Sequence, residues 1–174
     1  MAELSLVSLA ARSNVRVHGR GERTLLFAHG FCSTSDVFAR QVEAFSDEYR
    51  IVTYDLAGFG AAHADLWSRA RHATLEGYAA DMVDLLDELD LRRVTLVGAS
   101  MSAMTGLMAS LARPERFDAL VFVGGSPRYL DDQGYTGGWD RAALDGFYAL
   151  VGGSVHWRGA VKDMLHGVSG AATL

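Results

Sequence analysis

The chain has 174 residues and one cysteine, Cys32, which leaves room for a single core and excludes an internal disulfide framework or a multi-cysteine zinc site. Hydrophobic residues make up 49% and charged residues 21%, a globular mixture that argues against disorder. The formal charge of −5 comes from interspersed acids and bases, so neither nucleic acid nor an anionic membrane surface is an expected partner.

The first residues, Met1 to Ala11, carry Glu3 where a secretory signal carries a basic residue, and Ser5 and Ser8 interrupt their apolar run. No apolar stretch reaches the roughly 20 residues that span a bilayer. These features, with the lone cysteine, predict a soluble, cytoplasmic protein.

Val15 to His18 reads as a short edge strand, with Gly19 and Gly21 turning into the next element. Leu25 to Ala28, Ile51 to Tyr54, Val94 to Val97 and Leu120 to Val123 are nearly unbroken apolar runs, the pattern of parallel strands covered on both faces. Between them lie helical segments: one over Thr34 to Phe45, one led by Thr74, and one from Met101 to Ala112 that Pro114 ends. In the second, Leu75, Tyr78, Ala79, Met82, Leu85, Leu86 and Leu89 share one stripe, while Asp81, Asp84, Asp87 and Glu88 fall off it. Thr74 is its expected N-cap, and Glu76 in the first turn complements the helix dipole. Strand and helix alternating in this way predict an α/β fold with a mainly parallel sheet flanked by helices, a three-layer α/β/α arrangement.

After Gly124 the pattern leaves the sheet: Tyr129, Tyr135, Gly137, Gly138 and Trp139 precede a helical patch from about Ala142 to Val151, then a glycine-rich tail. The expected division is therefore a core over residues 1–126 and an excursion over 127–174.

Three local features carry chemistry. The run Val94 to Met104 passes from a buried strand through Ser100 directly into a helix. Such an elbow presents a serine hydroxyl at the carboxyl edge of the sheet and at a helix N-terminus, where developing negative charge is favoured. Crowding there demands small residues two positions either side, and Gly98 and Ser102 qualify. The bland alternative is a serine that merely caps the helix.

His29-Gly30-Phe31 follows the second strand. Asp55-Leu56-Ala57-Gly58-Phe59-Gly60 follows the third, and its glycines fit a sharp structural turn; a phosphate-binding loop would need a G-x-x-x-x-G-K-[ST] run that is absent.

With these segments, together with Thr74-Leu75-Glu76-Gly77-Tyr78, Arg113-Pro114-Glu115-Arg116-Phe117 and Gly125-Ser126-Pro127-Arg128-Tyr129-Leu130, the chain resembles the α/β-hydrolase superfamily. Within it, the similarity is to the small hydrolases related to the bacterial sigma-B stress regulator (RsbQ-like) and the plant karrikin and strigolactone receptors. The resemblance implies Ser100 as nucleophile and the backbone N–H groups of Phe31 and Met101 as oxyanion donors. It also implies a lid beginning after Ser126 over a pocket lined by Phe31, Val37, Met101, Tyr129 and Trp139.

Two positions depart from that pattern: Ala99 stands where histidine is common, and Ser102 where glycine is common. The resemblance further places an acid and a histidine on loops after two later strands. This chain stops within the lid-like stretch, so the expectation is the front portion of the fold, without its last strands and with Ser100 nearly inert for want of a base. His156 and His166 follow Ser100 but read as lid or surface histidines, and Asp131, Asp132, Asp140, Asp145 and Asp163 are the nominal acids.

The leading function is a serine hydrolase of small apolar esters or lactones. The alternatives are a non-catalytic ligand-binding regulator with a protein partner, and the product of a degraded gene. Neither cofactor nor metal is implied. An unpaired edge on the Leu120 to Val123 strand implies an oligomer if 174 residues are the whole product.

Overall fold

A computed structural model describes residues 8–153. In chain order the elements are α1 (Leu9–Arg12), β1 (Arg16–His18), β2 (Thr24–Ala28), a 3-10 turn (Ser35–Phe38) running into α2 (Ala39–Phe45), and β3 (Arg50–Tyr54). A second 3-10 turn (Ala64–Leu66), α3 (Arg69–His72), α4 (Leu75–Glu88), β4 (Val94–Ala99) and α5 (Met101–Ala112) follow. A 3-10 turn (Pro114–Arg116), β5 (Phe117–Val123) and α6 (Arg141–Gly153) complete them.

All four expected strands form, each starting one to three residues earlier or ending later than its apolar run, and the edge strand near Val15 is present as β1; β2, β3 and β4 are buried as expected, but β5, at the sheet's margin among the described residues, is largely exposed. The segment read as one helix from Thr34 divides in two. Thr34 Oγ1 accepts from Asp36 N at 3.3 Å and starts a 3-10 turn that buries Ser35 and Phe38 before α2 begins.

The sheet order is β1-β3-β2-β4-β5, with β1 antiparallel to β3 and every other pair parallel. Parallel neighbours need crossovers, which the helices provide. Alternation along the strands sends Leu26, Ala28, Val52 and Leu96 to one face, where they pack with Met82, Leu85 and Leu86 of α4 and Ala109 of α5. Leu25, Phe27 and Ile51 point to the other face, against Phe38 and Val42. Helices thus cover both faces, as the alternating pattern predicts.

The α4 stripe is the largest single contribution to this core. Met82 and Leu86 are fully buried, so truncating either to Ala is expected to cost about 2–5 kcal/mol. Thr74 occupies the N-cap position with extended backbone, but its side chain makes no cap hydrogen bond; instead it hydrogen-bonds Glu76 and holds that carboxyl below its usual range. At the far end, Arg113 and Arg116 both grip Asp87, and Arg116 Nη1 also donates to Leu91 O at 2.9 Å. These contacts fix the end of α4 to the start of β5.

The chain divides into two compact units, Met1–Ser126 and Pro127–Leu174. The second is built around a tight loop in which Trp139 N donates to Tyr129 O (2.9 Å) and Asp131 N to Trp139 O (2.7 Å). The rings of Tyr129 and Trp139 lie 5.7 Å apart and those of Trp139 and Phe147 5.4 Å, an aromatic row that ends on α6. Asp140 Oδ1 accepts from Ala143 N at 2.7 Å and caps that helix. Among the described residues no helix is long and apolar enough to cross a membrane.

Candidate active site

One residue separates β4 from α5. Ser100 has φ 52° and ψ −116°, a backbone conformation that costs a non-glycine residue about 1–3 kcal/mol. The surroundings hold it there: Ser100 N donates to Val123 O at 2.8 Å, and Ser100 O accepts from Ala103 N at 3.0 Å. Ser100 stands at the N-cap position, yet its side chain makes no cap hydrogen bond, so the reading of this serine as an ordinary helix cap is set aside.

The pinch explains the small residues around it. A Cβ on Gly98 would lie 2.5 Å from the Ser102 carbonyl oxygen, and one on Gly125 2.3 Å from Ala103 Cβ. Gly30 faces the serine itself: a Cβ there would meet Ser100 Cβ at 2.9 Å and Oγ at 3.5 Å. The turn after β2 and the turn after β4 therefore meet backbone to side chain. Met101 opens α5, and as the first helical residue its own N–H has no intrahelical acceptor.

His29 is fully buried. Leu56 N donates to its Nε2 at 3.1 Å, so Nε2 is the unprotonated nitrogen, and Nδ1–H donates to Gly30 O at 2.8 Å. Burial pushes its pKa down, outweighing the Gly30 carbonyl and the Asp55 charge, which pull upward. His29 is thus a neutral ring with both nitrogens occupied. Because it holds the Gly30 carbonyl and the peptide is planar and trans, the Phe31 N–H points away from the His29 ring.

Asp55 anchors the neighbouring loop. Its Oδ1 accepts from Ser35 N (2.7 Å), and its Oδ2 accepts from Asn14 Nδ2 (2.8 Å) and Ala61 N (2.9 Å). Burial alone would raise its pKa, but these donors reverse the direction and hold the carboxyl below its ordinary value. Gly60, at φ 56°, wraps so closely that a Cβ would lie 2.4 Å from Asp55 Oδ2. The structural role expected for this glycine loop is visible in these bonds.

Phe31 is exposed and packs edge-to-face on Phe59 at 5.6 Å. With Phe59, Trp67, His72 and Tyr78 it lines an open cavity of about 600 Å³. Of the expected pocket residues, only Phe31 lines this cavity. Val37 is exposed on the 3-10 turn after β2, Met101 is half-buried at the head of α5, and Tyr129 and Trp139 pack on each other in the second unit.

Sequence reasoning missed one polar cluster. His72, buried at the end of α3, sets Nε2 2.8 Å from Asp81 Oδ2, and Arg71 Nε donates to Asp81 Oδ1 at 2.5 Å. Ser68 N lies 3.0 Å from His72 Nδ1. Asp81 falls off the apolar stripe because it serves this cluster, and an acid beside the stripe following the basic run Arg69, Arg71 and His72 was the available signal.

The nominal acids are also engaged locally. Asp131 Oδ1 accepts from Gly138 N, Asp132 pairs with Arg128, Asp140 caps α6 and Asp145 lies 3.7 Å from Arg141. His156, His166 and Asp163 lie outside the described residues.

Comparison with known proteins agrees with this architecture. Residues 23–155 match the alpha/beta hydrolase fold family. The chain is 42% identical over 138 residues to Karrikin insensitive 2 receptor CA of Petunia hybrida, covering 79% of this chain and 51% of that protein. To Strigolactone esterase RMS3 of Pisum sativum it is 39% identical over 139 residues, with 79% and 52% covered. Among solved structures, a hydrolase from Oleispira antarctica superimposes with a TM-score of 0.84 at 26% identity, over 88% of this chain and 57% of that one. The N-acyl homoserine lactonase AidH, complexed with N-butanoyl homoserine, gives 0.59 at 29% identity over 65% and 41%. The chain spans about half the length of the curated relatives it matches. On its fold, its strand order and this match over most of its length, the chain belongs to the alpha/beta hydrolase fold family.

Proposed function

We propose that this chain carries the nucleophile half of a serine hydrolase acting on small apolar esters or lactones. Ser100 Oγ attacks the carbonyl carbon, and the N–H groups of Phe31 and Met101 receive the negative charge that develops on the carbonyl oxygen. The observation that carries this reading is the strained Ser100 backbone, whose hydroxyl forgoes the helix cap while Gly30 is kept bare against it. Backbone strain of this sort persists only where the surroundings over-determine it, and it gathers at reactive sites.

The hydroxyl proton passes to a base, here solvent hydroxide rather than a side chain, and the alkoxide of the ester or lactone leaves as the carbonyl double bond re-forms. His29 is not that base, because its ring nitrogens are committed to Gly30 and Leu56. His72 is held in the same way by Asp81 and Ser68. The substrate class draws support from the esterase and lactonase names among the relatives and from the apolar side chains Phe31, Phe59 and Trp67 that line the cavity.

The receptor name of a near relative favours a second reading, a ligand-binding regulator with little turnover. A burst assay with p-nitrophenyl butyrate separates the two. Release approaching one nitrophenolate per chain, lost in Ser100→Ala, supports the hydrolase. A ligand-induced rise in melting temperature with no burst, equal in Ser100→Ala, supports the regulator.

A further inference from the structure

Ser102 sits two positions after Ser100, on the first turn of α5, and is fully buried. Its side chain enters no bond within its own helix turn. Ser102 Oγ instead donates to the main-chain carbonyl of His29, 73 residues earlier, at 2.5 Å. That carbonyl belongs to the His29–Gly30 peptide, and the next carbonyl, Gly30 O, is held by His29 Nδ1 at 2.8 Å. Two successive peptide planes of the turn after β2 are thus fixed, one from the elbow helix and one from the turn's own imidazole. A glycine at position 102 would satisfy the crowding against Gly98 equally well, since the close approach there is to the Ser102 backbone. The hydroxyl therefore has a use that smallness does not explain.

We infer that Ser102 is a positioning residue, whose hydroxyl locks the His29-Gly30-Phe31 turn to the head of α5 and so sets the spacing between the Ser100 hydroxyl and the Phe31 N–H. The inference rests on the reading of Ser100 as nucleophile and Phe31 as oxyanion donor. A fixed donor stabilises developing charge only when it is held in place before reaction, because a mobile turn must first be ordered. Losing the Ser102 hydroxyl leaves a buried His29 carbonyl without this donor and frees the turn to shift.

The test uses the whole 174-residue chain with Ser102→Ala, and with Ser102→Gly as a second variant that removes the same hydroxyl without adding bulk. Two quantities are read: amide hydrogen exchange along the chain, and inactivation at Ser100 by a fluorophosphonate, resolved into the rate at saturation and the half-saturating concentration. The expected result is exchange at Gly30 and Phe31 faster by about tenfold, with α4 and β3 unchanged, and a saturated rate lower by about tenfold at unaltered half-saturation. Unchanged exchange at Gly30 and Phe31 in either folded variant would overturn the inference. So would a uniform rise across the sheet, which is the mark of general destabilisation. If the parent chain fails to react at Ser100 while local exchange still rises, the positioning contact stands and the hydrolase reading fails.

Discussion

Gly30 and Ser100 approach so closely that a single methyl group on the glycine would lie 2.9 Å from the serine Cβ. Gly30→Ala is therefore expected to destabilise the fold by about 1–3 kcal/mol through overpacking, and to displace the Phe31 N–H from the serine. Urea unfolding of the variant checks the first effect, and its rate of fluorophosphonate labelling checks the second. A variant of parental stability and parental labelling rate would mean that the two turns do not abut.

Asp55 holds Asn14, Ser35 and Ala61 with one carboxylate. Asp55→Ala removes three charge-assisted hydrogen bonds and leaves the buried Ser35 N–H unpaired, at an expected cost of about 3 kcal/mol. Denaturant titration measures it, and a change below about 0.5 kcal/mol, the usual range for a surface site, would show the loop to be held otherwise.

Two buried groups contribute to the loss of stability in acid. The unfolded chain protonates His29 near 6.5, whereas burial keeps the folded ring neutral to lower pH. Between those values the unfolded state binds more protons, so this contribution is complete above pH 6.5 and is lost as pH falls, with a limiting slope of about 1.4 kcal/mol per pH unit. Asp55 behaves alike at lower pH: its folded pKa lies below 3.8, so its contribution is present above that value and is lost as pH falls through the folded one. His29→Gln should flatten the slope below pH 6.5 while lowering stability at pH 7. An unaltered slope in that variant would assign the acid sensitivity to another group.

Among the described residues β5 is the sheet's outer strand on one side, and Val121, Phe122 and Val123 are 45%, 42% and 54% exposed. An apolar strand edge of this kind templates pairing with another chain. We propose that the isolated 174-residue polypeptide self-associates through it, and that Val121→Lys with Val123→Lys shifts it toward monomer. Light scattering on a sizing column reads the mass; a monodisperse monomer from the unmodified chain contradicts the proposal.

The fold was legible because its signals are local. Each buried strand is an apolar run, and the α4 stripe from Leu75 to Leu89 states its own period. Ser100 was legible because strand, tight turn and helix meet within a few residues of sequence. What escaped notice depends on partners distant along the chain. Nothing near Ser102 announces that its hydroxyl reaches His29, and Asp55 reads as part of a glycine loop until Asn14 and Ser35 are seen to converge on it. The His72–Asp81 pair was hidden for a related reason, since an acid off an apolar stripe looks like a solvated surface residue until α3 folds back against α4.

The account stands on Ser100 being the reactive serine of this chain. Prolonged treatment with a fluorophosphonate, followed by peptide mapping, tests it directly. Donors held beside Ser100 stabilise the charge that develops on the reagent's oxygen there and at no ordinary surface serine, so selectivity for Ser100 is expected even where labelling is slow. The predicted result is a single adduct on Ser100 that disappears in Ser100→Ala. Adducts spread over other serines, or none on Ser100 in a folded chain, would contradict it.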